Sequence, residues 1–306
     1  QVPYYTYAAF LSRHFEGKVQ KLPLDVGATC PVRDGSVSHG GCAFCNGRSF
    51  VPDMCSEQYS VATQLQAGKQ FFLRKHPHDN VAYLAYFQAG SNTYMPLSVM
   101  QRYISQALSV PGVRGIVLAT RPDCLSTSWL DYLEHLSRQT FVMVELGIES
   151  VNDDVLRQIG RGHDVATSAQ AVRQLHLRGI HVGVILFGFA GESRESQLQQ
   201  AFEASRWQVD SVKLHQLQIL RGSRFARQYA EFPERFSLFS LPDYVSLVAD
   251  FIERLHPAIA VERFVSQSPA SLLIAPRWGV KPDEVVRLVC STLAERRTHQ
   301  GILCPL

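Results

Sequence analysis

Phe141-Val-Met-Val-Glu-Leu-Gly-Ile-Glu149-Ser150 is apolar at nearly every position until its last two residues. A strand with one wet face alternates apolar and polar residues, whereas a parallel strand covered on both faces reads as a continuous apolar run. Similar runs recur at Val19–Leu24, Val81–Phe87, Gly115–Ala119, Ile180–Phe187 and Ser211–Ile219. Helical patterns lie between them. Pro96 opens one, with Leu97, Met100, Ile104 and Leu108 as its stripe. Asp164 caps another that carries Val165, Ala169, Val172 and Leu175 and stops at Gly179. Alternating β and α units imply a parallel sheet with right-handed crossovers. Six units predict an α/β fold, a partial (β/α)6 TIM-like barrel over 18–225, behind an N-terminal lead-in, 1–17. The rhythm changes after Gly222. A helix from Pro242, a strand-like Ala258–Val265 and a helix from Pro282 predict a C-terminal α/β extension, 226–306, packed on the barrel.

Composition bounds the function. Of 306 residues, 46% are apolar and 19% charged, which excludes intrinsic disorder. No apolar run nears the roughly 20 residues of a membrane helix, so no membrane partner is expected. Thirty Lys and Arg against 27 Asp and Glu leave +3, too little to argue for nucleic acid by itself. Gln1 stands where a start methionine would, so a removed leader is left open; a basic-then-apolar leader is not among these residues. Seven cysteines, an odd number in a long chain, argue against a secreted disulfide framework, and the expected compartment is the cytoplasm.

Three of those cysteines share one loop directly after the first strand: Cys30-Pro-Val-Arg-Asp-Gly-Ser-Val-Ser-His-Gly-Gly-Cys42-Ala-Phe-Cys45-Asn46. Loops at this end of parallel strands are where such barrels keep their chemistry. Three thiolates are one short of filling a zinc site or a [4Fe–4S] cluster. A zinc reading takes His39 or Cys55 as fourth ligand; a cluster reading leaves one iron open. Cys124, Cys290 and Cys304 show no C-x-x-C pairing and read as inert thiols.

The spacing C-x11-C-x2-C, with Cys30-Pro-x-Arg-Asp-Gly and Gly-Gly-Cys-x-Phe-Cys-Asn around it, resembles the cluster loop of the radical S-adenosylmethionine (SAM) superfamily. The usual spacing there is C-x3-C-x2-C. The longer first gap resembles the elongator catalytic-subunit-like branch, and within it the YhcC/YtqA group. The resemblance implies a [4Fe–4S] cluster on Cys30, Cys42 and Cys45, SAM chelated at the fourth iron, and hydrogen abstraction by a 5′-deoxyadenosyl radical. It implies a flavodoxin or ferredoxin as electron donor, and tRNA, modified at the wobble uridine, as a candidate partner. A small metabolite or a protein is the alternative substrate. A zinc-stabilised barrel that only binds a partner is the reading from another class.

The other strand ends supply the remaining candidates. Gln88 follows the second strand and Thr120-Arg121-Pro122-Asp123 the third; the latter resembles a box of the elongator-like branch, or is a helix-entry turn with a local ion pair. Glu145 and Glu149, four apart on a strand, share a face. By resemblance Glu149 and Ser150 contact the cofactor, while Ser150 or Asn152 also suits a helix cap. Gly183 and Gly188-Phe-Ala-Gly191-Glu192 resemble the family's glycine-rich segment, with Gly188 letting backbone approach the cofactor. His163, in Arg161-Gly-His163-Asp, is either a ligand contact or structural. Lys213 and His215 project to one side of the sixth strand and are the candidate catalytic, substrate-side residues, unless Lys213 merely pairs with Glu145 across the barrel floor.

Overall fold

In the computed structural model, residues 2–47, 51, 54–75, 81–188 and 192–305 are described. Seven parallel strands form one sheet in the order β1-β2-β3-β4-β5-β6-β8: β1 Lys18–Leu24, β2 Val81–Phe87, β3 Val113–Thr120, β4 Phe141–Glu149, β5 His181–Gly188, β6 Ser211–Gln216 and β8 Ala260–Arg263. A two-stranded sheet pairs β7, Ile219–Leu220, antiparallel to β9, Leu273–Ala275. The fold is the expected partial barrel, extended by one strand: the strand-like run after Pro257 joins the main sheet beside β6.

The apolar runs prove to be two alternating sets. On β2, Tyr83, Ala85 and Phe87 face the helical layer and belong to one buried cluster with Met100, Ile104, Leu133, Leu175 and Ile252 of the helices that line the sheet. Leu84 and Tyr86 face the barrel interior with Val117, Ala119 and Met143. Both faces are apolar, so the period-2 signal vanishes from the sequence. The helices between strands begin at side-chain caps as their sequences dictate: Ser126, Asn152, Asp164, Ser193 and Ser240 each accept a backbone N–H at or near the third helical residue.

The run Ser211–Ile219 breaks in two. Gln216 Oε1 accepts the Ser266 N–H at 2.8 Å and Gln218 Oε1 accepts the Ser268 hydroxyl at 2.7 Å. These bonds hold the segment after β8 against the chain, and β7 pairs with β9 instead of continuing β6.

The open side of the barrel is closed by the lead-in. Helix Tyr7–Leu11 packs against β1 and β8, Thr6 bridges Val261, and the Tyr5 carbonyl accepts the Val261 N–H at 2.8 Å. Beneath the cavity the two edge strands are tied by charge: Lys21 of β1 lies 2.5 Å from Glu262 of β8. No helix among the described residues is long and apolar enough to cross a membrane.

Candidate functional site

A cavity of about 780 Å³ opens at the C-terminal ends of the strands. Cys30, Cys42 and Cys45 line it from the loop after β1, Gln88 from the loop after β2, Arg121 from β3's end, Glu149 from β4's end, and Lys213 and His215 from β6. Eight of the eleven residues proposed from sequence thus meet at one concavity. Asp123, Ser150 and Gly188 do not line it.

The cysteine loop is shaped by local bonds. The Cys30 carbonyl accepts the N–H of Arg33 at 2.8 Å and of Asp34 at 3.1 Å, and the Cys42 carbonyl accepts the Cys45 N–H at 3.0 Å. Gly40 and Gly41 sit at φ +83° and +77°, which side chains rarely adopt. All three thiols are free. Guanidinium groups reach two of the sulfurs: Arg33 Nη2 lies 3.0 Å from Cys45 Sγ and Arg161 Nη1 3.4 Å from Cys42 Sγ. Burial pushes the Cys45 thiol up, and Arg33 works against that.

No group of three His, Cys, Asp or Glu among the described residues is drawn together as ligands of one metal ion. A cube of irons and sulfides spaces its cysteines further apart than a lone ion does, so three thiols around one cavity fit the cluster's donor set in kind and number. Neither fourth ligand of the zinc reading lines the cavity: His39 is exposed, and Cys55 is buried elsewhere, its thiol pushed up to about 11 by burial and donating to the Pro23 carbonyl at 3.2 Å.

Arg161 is the hub. It is 6% exposed and touches Cys42, the Gly147 carbonyl, His163 Nε2 (3.1 Å) and Glu149 Oε1 (3.6 Å). Arg121 donates to the Arg161 carbonyl at 2.6 Å and forks onto Asp123 with two 2.8 Å bonds. The Arg121–Asp123 box is therefore a local ion pair at a turn, and it also braces Arg161. His163 is held neutral, pushed down to about 4 by burial and then by Arg161 and Arg121.

Glu149 stands at φ +77°, where β4 slips register against β5 between Gly147 and Glu149. That conformation costs a non-glycine residue about 1–2 kcal/mol and tends to mark functional positions. Its Oε2 is buried without a hydrogen-bond partner. Burial raises its carboxyl to about 7, against the pull of Arg161 and Arg121. Ser150 lies behind the wall: its hydroxyl donates to Glu192 Oε1 at 3.3 Å and accepts the Asn152 N–H at 3.1 Å, while Asn152 caps the next helix. Gly188 admits an aromatic ring rather than open space, since a Cβ there would meet Phe239 at 3.0 Å. Phe189, Ala190 and Gly191 of that segment lie outside the described residues.

Lys213 pairs with Glu145 as the plainer reading anticipates, at 2.6 Å, within a larger set. Glu145 also accepts from Lys21 at 2.5 Å and from the Tyr86 hydroxyl at 2.6 Å; Lys213 reaches Glu262 at 3.2 Å. Both ammonium groups lie over the Tyr86 ring, 4.5 and 4.8 Å from its centre. The Glu145 carboxyl sits far below the usual range: burial raises it, and Lys21 and Lys213 outweigh burial. His215 is held neutral by burial and by neighbouring Arg263 and Lys213. Sequence reasoning missed Arg33 and Arg161 as sulfur contacts, and Lys21 and Glu262 altogether. The first two stand inside quoted boxes; the other two need the barrel's closure to be seen.

Comparison with known proteins agrees with this geometry. Residues 38–199 match the radical SAM superfamily and residues 209–295 the radical SAM C-terminal domain. The uncharacterised protein YtqA of Bacillus subtilis is 34% identical over 299 residues, covering 97% of this chain and 92% of its own. YhcC of Escherichia coli is 33% identical over 270 residues, 88% of this chain and 85% of its own. The solved Elp3 of the archaeon Methanocaldococcus infernus, lacking its N-terminal segment, shares the fold: TM-score 0.72 at 16% identity, over 94% of this chain and 65% of that one. The chain belongs to the radical SAM superfamily, a family of enzymes that use an iron–sulfur cluster and SAM.

Proposed function

We propose that Cys30, Cys42 and Cys45 hold a [4Fe–4S] cluster and that the cavity beside them binds SAM and a substrate from which a hydrogen atom is removed. When bound, the cluster supplies one electron to the sulfonium of SAM, which releases methionine and a 5′-deoxyadenosyl radical. The observation that carries this reading is that all three loop thiols line one cavity at the strands' C-terminal ends.

The protein's own part is positioning and charge. Arg33 and Arg161 offset the negative charge of the sulfurs they touch. Glu149, held in a strained conformation with one oxygen unpartnered, offers an acceptor to the hydroxyls of a nucleoside. Gln88 and Arg121 add polar groups to the same wall; Asp123, Ser150 and Gly188 act behind it, bracing Arg121, anchoring Glu192 and admitting Phe239. Lys213 and His215 face the substrate's end of the cavity. The electron comes from a reduced flavodoxin or ferredoxin in the cytoplasm. The resemblance to the elongator branch favours a tRNA wobble uridine as substrate over a metabolite or protein.

Anaerobically purified protein is expected to carry about four irons with matching sulfide and to form 5′-deoxyadenosine from SAM under reduction. Cys42→Ala should lose the iron while staying folded. One zinc per chain without sulfide refutes the cluster. Unchanged wobble nucleosides in tRNA from a strain lacking the gene refute the RNA substrate and leave the cluster chemistry standing.

A further inference from the structure

Five cationic side chains line the cavity: Arg33, Arg121, Arg161, Lys213 and Arg263. Four are committed. Arg33 donates to Cys45, Arg121 to Asp123, Arg161 to Cys42 and Gly147, and Lys213 to Glu145 and Tyr86. Arg263 differs. Among the described residues its side chain forms no hydrogen bond, ion pair or ring contact, although it is half-buried at the end of β8.

Its surroundings make that costly. Arg263 is the register partner of Lys213, so two cations stand side by side on neighbouring parallel strands. Lys213 is neutralised by Glu145 and Glu262. The Arg263 charge has no such relief, and it disfavours a second positive charge on the buried imidazole of His215. A half-buried guanidinium that forms no ion pair is unfavourable unless an anion arrives. The planar fork of Arg suits an oxyanion with two oxygens in reach.

We infer that Arg263 is the anchor for an oxyanion, a phosphate or a carboxylate, carried by the substrate. This rests on the reading of the cavity as a radical SAM site, and it deepens that reading by naming one charge the substrate must bear. The anion sits on the wall built by β8 and the following segment, with Ser266 beside it, while the cysteines occupy the loop after β1. The substrate's neutral part is thereby directed toward the middle of the cavity. Neutral His215 adds a polar group without adding charge.

The test uses cluster-loaded, anaerobic protein with two probes, inorganic phosphate and acetate, titrated by NMR line broadening. Wild type is expected to bind at least one of them; the tighter probe distinguishes a phosphate-bearing from a carboxylate-bearing substrate. Arg263→Gln should weaken that binding about tenfold or more, the scale of a charge-assisted hydrogen bond, while iron content and SAM affinity stay at the wild-type level. Arg263→Lys, which keeps the charge and loses the fork, should fall between and serves if Arg263→Gln does not fold. Equal probe affinity in wild type and both variants overturns the proposal. So does loss of SAM affinity in Arg263→Gln, which would assign the guanidinium to the cofactor. Absence of iron from wild type would instead sink the cluster reading, and the anion titration of that protein would still decide the role of Arg263.

Discussion

Glu145→Gln conserves volume and removes one negative charge from the barrel floor. Glu145 is 1% exposed, and it accepts from Lys21, Lys213 and Tyr86. After the change, two buried ammonium groups share Glu262 alone. Removing one partner of a buried pair costs about 3–5 kcal/mol, out of a total stability of roughly 5–15 kcal/mol. Lys213→Met leaves the complementary fault, an undercompensated carboxylate. The double variant removes one charge of each sign and keeps Lys21 with Glu262. It should therefore be less damaged than the sum of the singles, by about 1–3 kcal/mol. Urea unfolding midpoints of the four proteins at pH 7.5, under anaerobic conditions, measure this coupling. The Glu145 carboxyl is depressed in the folded protein, so its contribution is present above its unfolded value of 4.5 and is lost as pH falls through the folded value. Glu145→Gln should thus also flatten the acid limb of the stability curve. Single effects that add to within about 0.5 kcal/mol would refute the argument, because they would mean the four charges do not act as one unit.

Two further tests concern the cavity's rim. The Glu149 carboxyl is raised from 4.5 to about 7, so the folded state holds its proton more tightly; stability should decline by about 3 kcal/mol between those pH values and level off above them. Glu149→Gln should abolish that decline in urea midpoints of the cofactor-free protein at pH 5 and 8, and an unchanged decline would assign it elsewhere. Gly90 lies at φ +73°, and a Cβ there would sit 2.0 Å from the Ala28 carbonyl oxygen; Gly90→Ala should cost more than about 1 kcal/mol and loosen the Ser91 N–H to Thr29 carbonyl bond (2.9 Å), which hydrogen exchange at Ser91 reads directly.

The framework was readable because its cause is local. Val81–Phe87 and Phe141–Glu149 are apolar on both faces, and a strand sandwiched between helices and a barrel interior requires that pattern. The cysteine loop was readable because its residues are contiguous. What escaped depends on closure. Lys21 looks like one polar residue on an edge strand until β8 arrives at the far end of the sheet with Glu262. Arg263 is one of 30 Lys and Arg in the sequence, though it stands inside Ala258–Val265, a run that reads as a strand. Gly188 is a different case: glycine in a strand end signals close approach, and the sequence alone does not say of what; among the described residues Phe239 approaches it.

The order of the sheet places the sulfur-bearing loop after the first strand and Arg263 on the last; Cys42 and Cys45 fall in the region that matches one family description and Arg263 in the region that matches the other. On the proposed reading, electron handling and ligand choice are thereby assigned to the two edge strands of one sheet. On that reading, exchanging the region from β8 onward between relatives should change the ligand preference and leave the iron content unchanged. The swap must carry residues 2–11 with it, because their bridge to Val261 fits the incoming edge to the old one.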